Sequence, residues 1–217
     1  MPIFSPAAAV LSVGFVTSVV SGTNATTSLT FSSVSFGAAA ADRQIVVLAG
    51  ASMDAVATIT GVTIGGVTGA ALVTATSAGR NANMYIASVP SGTSGDIVIS
   101  INTATGEAWG IGVYRVTGTA STTPSDTATQ TSNSPEPIAL TLSCPAGGAI
   151  IAGGITNDGY AGVWANATER YDEVMELSQW HSGAMTEFAA AQTDLAVTFD
   201  SGAPGQVVYV AASLVQA

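Results

Sequence analysis

The chain has 217 residues, 47% of them hydrophobic, which fits one domain with a substantial core. Four arginines and no lysine stand against fourteen acids, for a net charge of −10. Such a chain lacks the basic footprint that holds phosphates, so neither nucleic acid nor an anionic membrane is an expected partner.

Residues 1–36 are expected to add strands to the fold or to form a docking arm. "AAAVLSVGFVTSVV" (7–20) is too short and too broken by Ser, Thr and Gly to span a bilayer. The first six residues carry no Lys or Arg, so no signal peptide is expected. "SLTFSSVSF" (28–36) alternates like a strand, with a slip at Ser32–Ser33 that suggests a bulge. "QIVVLAGASM" (44–53) is almost wholly apolar or small, as in a central strand. In "TITGVTIGGVTGAALVTA" (58–75) the pair Gly65–Gly66 predicts a tight hairpin. "ANMYIASVPSG" (82–92), "DIVISI" (96–101) and "AWGIGVYRVTG" (108–118) read as further strands. "TGTASTTPSDTATQTSNSPEP" (117–137) is too polar for core and reads as a surface connection. "SPEPIALTLS" (134–143), "GAIIAGGIT" (148–156), "TDLAVTFD" (193–200) and "QVVYVAASLV" (206–215) complete the strands.

A faint repeat links the halves. "RQIVVLAGASMD" (43–54) resembles "GGAIIAGGITND" (147–158), 104 residues on. Asp96 matches Asp194 and Ala108 matches Gln206, each 98 residues on. The expected fold is therefore all-β, an antiparallel β-sandwich with little or no helix. Two Greek-key halves of about four strands, 37–118 and 137–217, would wind into one jelly roll.

"TERYDEVMEL" (168–177) gathers five of the chain's charges: Glu169, Arg170, Asp172, Glu173 and Glu176. As a helix it would stack like charges one turn apart. The repeat aligns it with the hairpin around "GVTIGGV" and so favours a strand. Glu169 and Glu173 share one side of that strand, which is not the cross-cleft geometry of glycoside hydrolysis, and nothing selects Glu107 or Glu187 as a partner. A Ser–His–Asp triad would have to use His181, the single histidine, and no G-x-S-x-G elbow exists. The lone Cys144 forbids an internal disulfide and reads as a small buried residue. Asn157 and Asp158 lie in a Gly-containing loop without EF-hand spacing, which reads as a turn. No catalytic residue, metal or cofactor is expected.

The 50 Ser and Thr residues carry surface polarity through hydroxyls instead of charges. Short side chains lose little rotamer entropy on contact, which suits packing against other protein chains or sugars. Tyr160, Trp164, Trp180 and Arg170 are the candidate surface for a partner or a glycan.

"VTIGGV" (62–67), "MYIASVPSGTSGDIVI" (84–99), "GIGVYRVTG" (110–118) and "WANATERYD" (164–172) stand in an order that resembles the small jelly-roll virion proteins of tailed bacteriophages. The resemblance covers most of residues 44–217 and carries no catalytic residues. It implies a non-enzymatic capsid decoration (cement) protein on the outer surface of the virion, made in the host cytoplasm. Its partners would be the major capsid protein or other virion proteins and copies of itself, commonly as a homotrimer. The alternatives are a glycan- or receptor-binding module of a head or tail fibre and, after that, a polysaccharide-degrading enzyme.

Overall fold

A computed structural model describes residues 10–22, 26–53, 56–103, 108–119, 121–132, 137–157, 161–176, 179–202 and 205–217. The first half of the chain forms β1 (Ser12–Ser21), β2 (Ser28–Ser35), β3 (Gln44–Ser52), β4 (Ile59–Ile64), β5 (Val67–Thr68), β6 (Ala70–Ser77), β7 (Arg80–Ser88), β8 (Ser94–Ile101) and β9 (Ala108–Thr117). The second half forms β10 (Asp126–Ser132), β11 (Ile138–Cys144), β12 (Gly148–Thr156), β13 (Val163–Ala165), β14 (Thr168–Val174), β15 (Trp180–Phe188), β16 (Gln192–Asp200) and β17 (Val207–Leu214). Every pairing between these strands is antiparallel.

The all-β antiparallel sandwich is as expected, but the chain winds a jelly roll twice. The first half builds one sheet in the order β1-β9-β3-β7-β6 and a second in the order β2-β8-β4-β5. With β6 set aside, this is the strand order of an eight-stranded jelly roll. The second half repeats this order as β10-β17-β12-β15-β14 and β11-β16-β13, without a counterpart of β5 among the described residues. The expectation of about four strands per half counted only the most apolar runs. It left β14's counterpart β6 inside the single run 58–75, and it took β10 for a connection because "DTATQTS" has a single apolar residue. Edge strands such as β6, β10 and β14 are held by backbone pairing along one side only. Residues 12–35 supply β1 and β2 as integral strands of the first roll.

The two five-stranded sheets pack face to face, giving four sheet layers with three cores between them. Phe31, Ile45, Val47, Ile97, Ile99 and Trp109 fill the first roll. Leu140, Ile150, Trp164, Val197, Phe199 and Tyr209 fill the second. Val46, Leu48, Met84, Ile151, Val208 and Val210 fill the seam between the rolls. This layering explains the two kinds of strand. β12 is buried at every position and β3 at all but its first, because each lies in a sheet covered on both faces. β2 and β11 alternate, because the outer sheets show one face to water.

The seam has an approximate two-fold relation. β3 lies against β12, β9 against β15 and β7 against β17, while β1 meets β14 and β6 meets β10. Each contact of one strand with the counterpart of another is returned, as in the self-complementary interface of a two-fold dimer.

Local expectations hold where turn chemistry is specific. Gly65 and Gly66 take φ of 57° and 82° in the β4–β5 hairpin. The register of β2 slips between Phe31 and Val34, with Ser33 at φ 56°. The repeat keeps phase at 98 residues in β8 and β16, where Ile97 and Ile99 match Leu195 and Val197 as inward residues. At 104 residues it fails in β3 and β12. That spacing matches Val46, which faces the seam, with Ile150, which faces the second roll. A spacing one residue longer matches Ile45 with Ile150 and Val47 with Ala152, all inward. A one-residue slip moves every strand side chain to the opposite face.

Candidate functional site: the acidic edge strand and the seam beneath it

"TERYDEV" is a strand, as expected, and its counterpart is β6 instead of the β4–β5 hairpin. β14 closes one edge of its sheet and, among the described residues, pairs only with β15. Its register slips between Glu169 and Tyr171. Glu169 and Arg170 are exposed, Asp172 and Glu173 are half-buried, and Tyr171 is buried. The bulge breaks the simple alternation that would have set Glu169, Tyr171 and Glu173 on one side.

The carboxylates are tied to backbone and hydroxyl donors. Ser18 Oγ donates to Glu173 Oε1 at 2.8 Å, linking β1 to β14 across the seam. Gly162 N donates to Asp172 Oδ2 at 2.8 Å. Val13 N donates to Glu187 Oε1 at 2.6 Å, which satisfies an amide of edge strand β1. Burial raises the Asp172 carboxyl to about 6, and the neighbouring Glu169 and Glu173 push the same way against the Gly162 hydrogen bond.

Tyr171 enters the seam between the central sheets. Gly112 on β9 and Gly183 on β15 leave the room for its ring, because a β-carbon at either position would collide with it. Phe15 stacks on Tyr171 at 5.4 Å and meets Tyr114 edge-on at 5.6 Å. His181 is fully buried beside them, its Nε2 3.4 Å from Tyr171 Oη. It sits over Gly50 and Gly110, which face each other across β3 and β9. A β-carbon there would come within 2.5 Å and 2.7 Å of the imidazole. Glycine inside a strand marks close approach of another group, and that was the sequence signal for this seat.

Burial pushes the His181 imidazole down to about 3, so it is neutral at pH 7. Its Nδ1 and the Tyr114 hydroxyl have no hydrogen-bond partner among the described residues. Glu173 lies directly opposite His181 in the strand register, but its carboxylate takes the Ser18 hydroxyl instead. The chemistry available is packing and orientation: a neutral imidazole closed off from water has no route to a substrate proton.

The candidate surface residues do not come together. Trp164 is buried in the second roll, where its Nε1 donates to Ser182 Oγ at 2.7 Å and its ring meets Phe199 and Tyr209. It is a core residue and offers no stacking platform. Trp180 is half-buried, opposite Val174. Arg170 is exposed, and Tyr160 lies outside the described residues, as do Glu107 and Asp158. Cys144 is buried, with its thiol raised mainly by desolvation. Asn157 Oδ1 accepts Gln206 N at 2.9 Å, the role of a turn residue. Among the described residues no three His, Cys, Asp or Glu side chains are grouped as a metal site, and no helix is long and apolar enough to cross a membrane.

Sequence reasoning passed over Arg43. It is fully buried, and all its donors meet backbone oxygens: Nε on Val89 (2.6 Å), Nη1 on Phe36 (3.5 Å) and Gly37 (3.0 Å), and Nη2 on Ser91 and Gly92 (both 2.8 Å). This cage fixes the floor of an open groove of about 600 Å³ at the end of the first roll, lined by Val67, Pro90, Ser91 and Asp96 among others.

The outer faces of the two rolls carry mostly short, uncharged side chains. Ser28, Thr30, Thr63, Val98 and Ser100 lie on the outer face of the first roll, opposite the inward Leu29, Val62 and Ile99. Ala139, Thr141, Ala165, Ala196 and Thr198 lie on that of the second. Acids appear at the margins, as Asp96 and Asp200. Comparison with known proteins found no matching family model, no matching curated protein and no matching solved structure.

Proposed function

We propose that this chain is a non-enzymatic structural protein of a bacteriophage virion, a decoration protein bound to the outer surface of the capsid. The observation that carries the reading is the pair of charge-poor outer faces, with acids only at their margins, at opposite ends of a four-layer block. Depletion of charge is the compositional mark of the centre of a protein interface. Short Ser, Thr and Ala side chains lose little entropy when covered. Such faces have no aromatic anchor, so each contact is weak, and repetition over a shell supplies the strength. The sequence resemblance to small jelly-roll virion proteins supports the same reading. The glycan-binding alternative loses one of its three aromatics with Trp164 in the core.

Counting the chain in purified particles by quantitative mass spectrometry tests the reading. A copy number that tracks the capsomers is the expected result. A few copies confined to a vertex or tail would contradict surface decoration.

A further inference from the structure

β7 and β8 of the first roll correspond to β15 and β16 of the second, and each pair has a groove at its turn. The two grooves differ in chemistry. The first-roll groove includes Asp96, and its aromatic residue, Phe36, is only 1% exposed. The second-roll groove measures about 420 Å³, within the about 300–1,000 Å³ of ligand pockets. No charged side chain lines it among the described residues. Its walls come from Thr186 and Phe188 of β15, from Gln192 and Leu195 of β16, and from Asn166 and Thr168 where β13 turns into β14.

Phe188 and Leu195 are half-buried: each packs on the second-roll core and also lines the groove. The two carboxamides are held in place. Asn166, at φ 62°, donates from Nδ2 to Ala196 O at 2.8 Å, and Gln192 donates from Nε2 to Ala190 O at 3.0 Å. A carboxamide has two N–H donors and an oxygen with two lone pairs, so each keeps a donor and an acceptor for a ligand. Side chains fixed beforehand lose little entropy when a ligand binds. Thr168 and Thr186 add hydroxyls to the walls.

We propose that this groove binds an uncharged saccharide. A carboxamide donates to one hydroxyl of a sugar ring and accepts from the next, while the C–H face of the ring packs on an apolar floor. Charge narrows the class. Phe188 also borders a cavity with Glu187, and Gln192 one with Asp126, so acids flank the groove on both sides. With a net charge of −10, this setting repels uronates, sialic acids and phosphates. A cationic ligand would want a carboxylate in the wall, and none lines it among the described residues. The groove shares no residue with the surface of Tyr160, Trp164, Trp180 and Arg170. The inference does not rest on the virion reading.

An array of neutral oligosaccharides of hexoses and N-acetylhexosamines, with sialylated and uronate-bearing counterparts, tests it on the full chain. Calorimetric titration follows for each neutral glycan retained. The expected result is saturable binding of a neutral glycan and weaker binding of its acidic counterpart. Gln192→Ala weakens that binding about tenfold, the loss of one good hydrogen bond. Phe188→Leu keeps most of the core volume, removes the ring and also weakens it. Thr168→Arg, on an exposed position of edge strand β14, fills the groove without touching the core and abolishes binding with an unchanged circular dichroism spectrum. Trp180→Ala leaves binding unchanged. An array without a neutral hit overturns the inference. So does preference for the acidic glycans, binding that survives Gln192→Ala and Thr168→Arg, or binding lost with Trp180→Ala instead.

Discussion

Arg43 and the acids show how a chain with 18 charged residues uses them. Arg43 serves five backbone oxygens, and Asp42, Asp96, Asp172 and Glu187 each accept a backbone amide. Charge here closes loops and edge strands. Lysine has three donors on a point charge and cannot reproduce the planar fork. Arg43→Lys therefore leaves buried carbonyls unpaired and should cost about 2–4 kcal/mol, read as a lower denaturant midpoint. His181 gives a pH prediction. Its folded pKa of about 3 lies below the unfolded value of about 6.5, so the folded state binds fewer protons between them. Its contribution is full above that unfolded value and is lost as pH falls towards the folded one, at about 2 kcal/mol by pH 5. Urea titrations across this range should show a shallower acid limb for His181→Gln. Asp172, raised to about 6, has the opposite sign. The folded state holds its proton longer, so the contribution is present below pH ~4 and lost as pH rises through ~6. Asp172→Asn should gain stability relative to wild type at pH 8 and little at pH 4.

At the scale of elements, glycines decide where strands approach. Gly110→Ala drives a β-carbon towards the His181 ring and should cost about 1–3 kcal/mol. Combined with His181→Ala the penalty should shrink, because the space is shared. A double-mutant cycle should give a coupling of about 0.5–3 kcal/mol, and additive single effects would contradict the seat. Element existence was legible wherever the hydrophobic period was strong. β3 and β12 read as central strands because two covered faces demand continuous apolar sequence. The β4–β5 hairpin was legible because Gly65 and Gly66 take the positive φ that glycine adopts most readily. β10 was hidden because an edge strand needs backbone partners more than apolar side chains. The repeat was visible, but its phase in β3 was not, since Val46 and Ile45 are equally apolar and only the layer each faces separates them. Of the candidate surface, Arg170 is exposed. Trp164 was misread because an indole beside a loop looks the same in sequence whether its N–H meets water or Ser182.

At the scale of the whole molecule, two jelly rolls share one central core, and neither roll can open without exposing it. Leu48, Met84, Ile151 and Val210 all depend on both five-stranded sheets. Unfolding should therefore be a single transition. Trp109 reports on the first roll and Trp164 on the second, so variants that keep only one of these tryptophans should lose native fluorescence at the same denaturant concentration. Two separated midpoints would mean that the rolls fold independently. On the proposed reading, the charge-poor faces at the two ends of this block are what a particle would cover. A protein that binds the assembled shell and not its dissociated subunits stabilises the shell by mass action. The most direct test is to add purified chain to capsids assembled without it, follow co-sedimentation, and record the melting of the shell. The account predicts saturable binding and a higher shell melting temperature. A chain that stays in the supernatant and leaves the melting unchanged would contradict it.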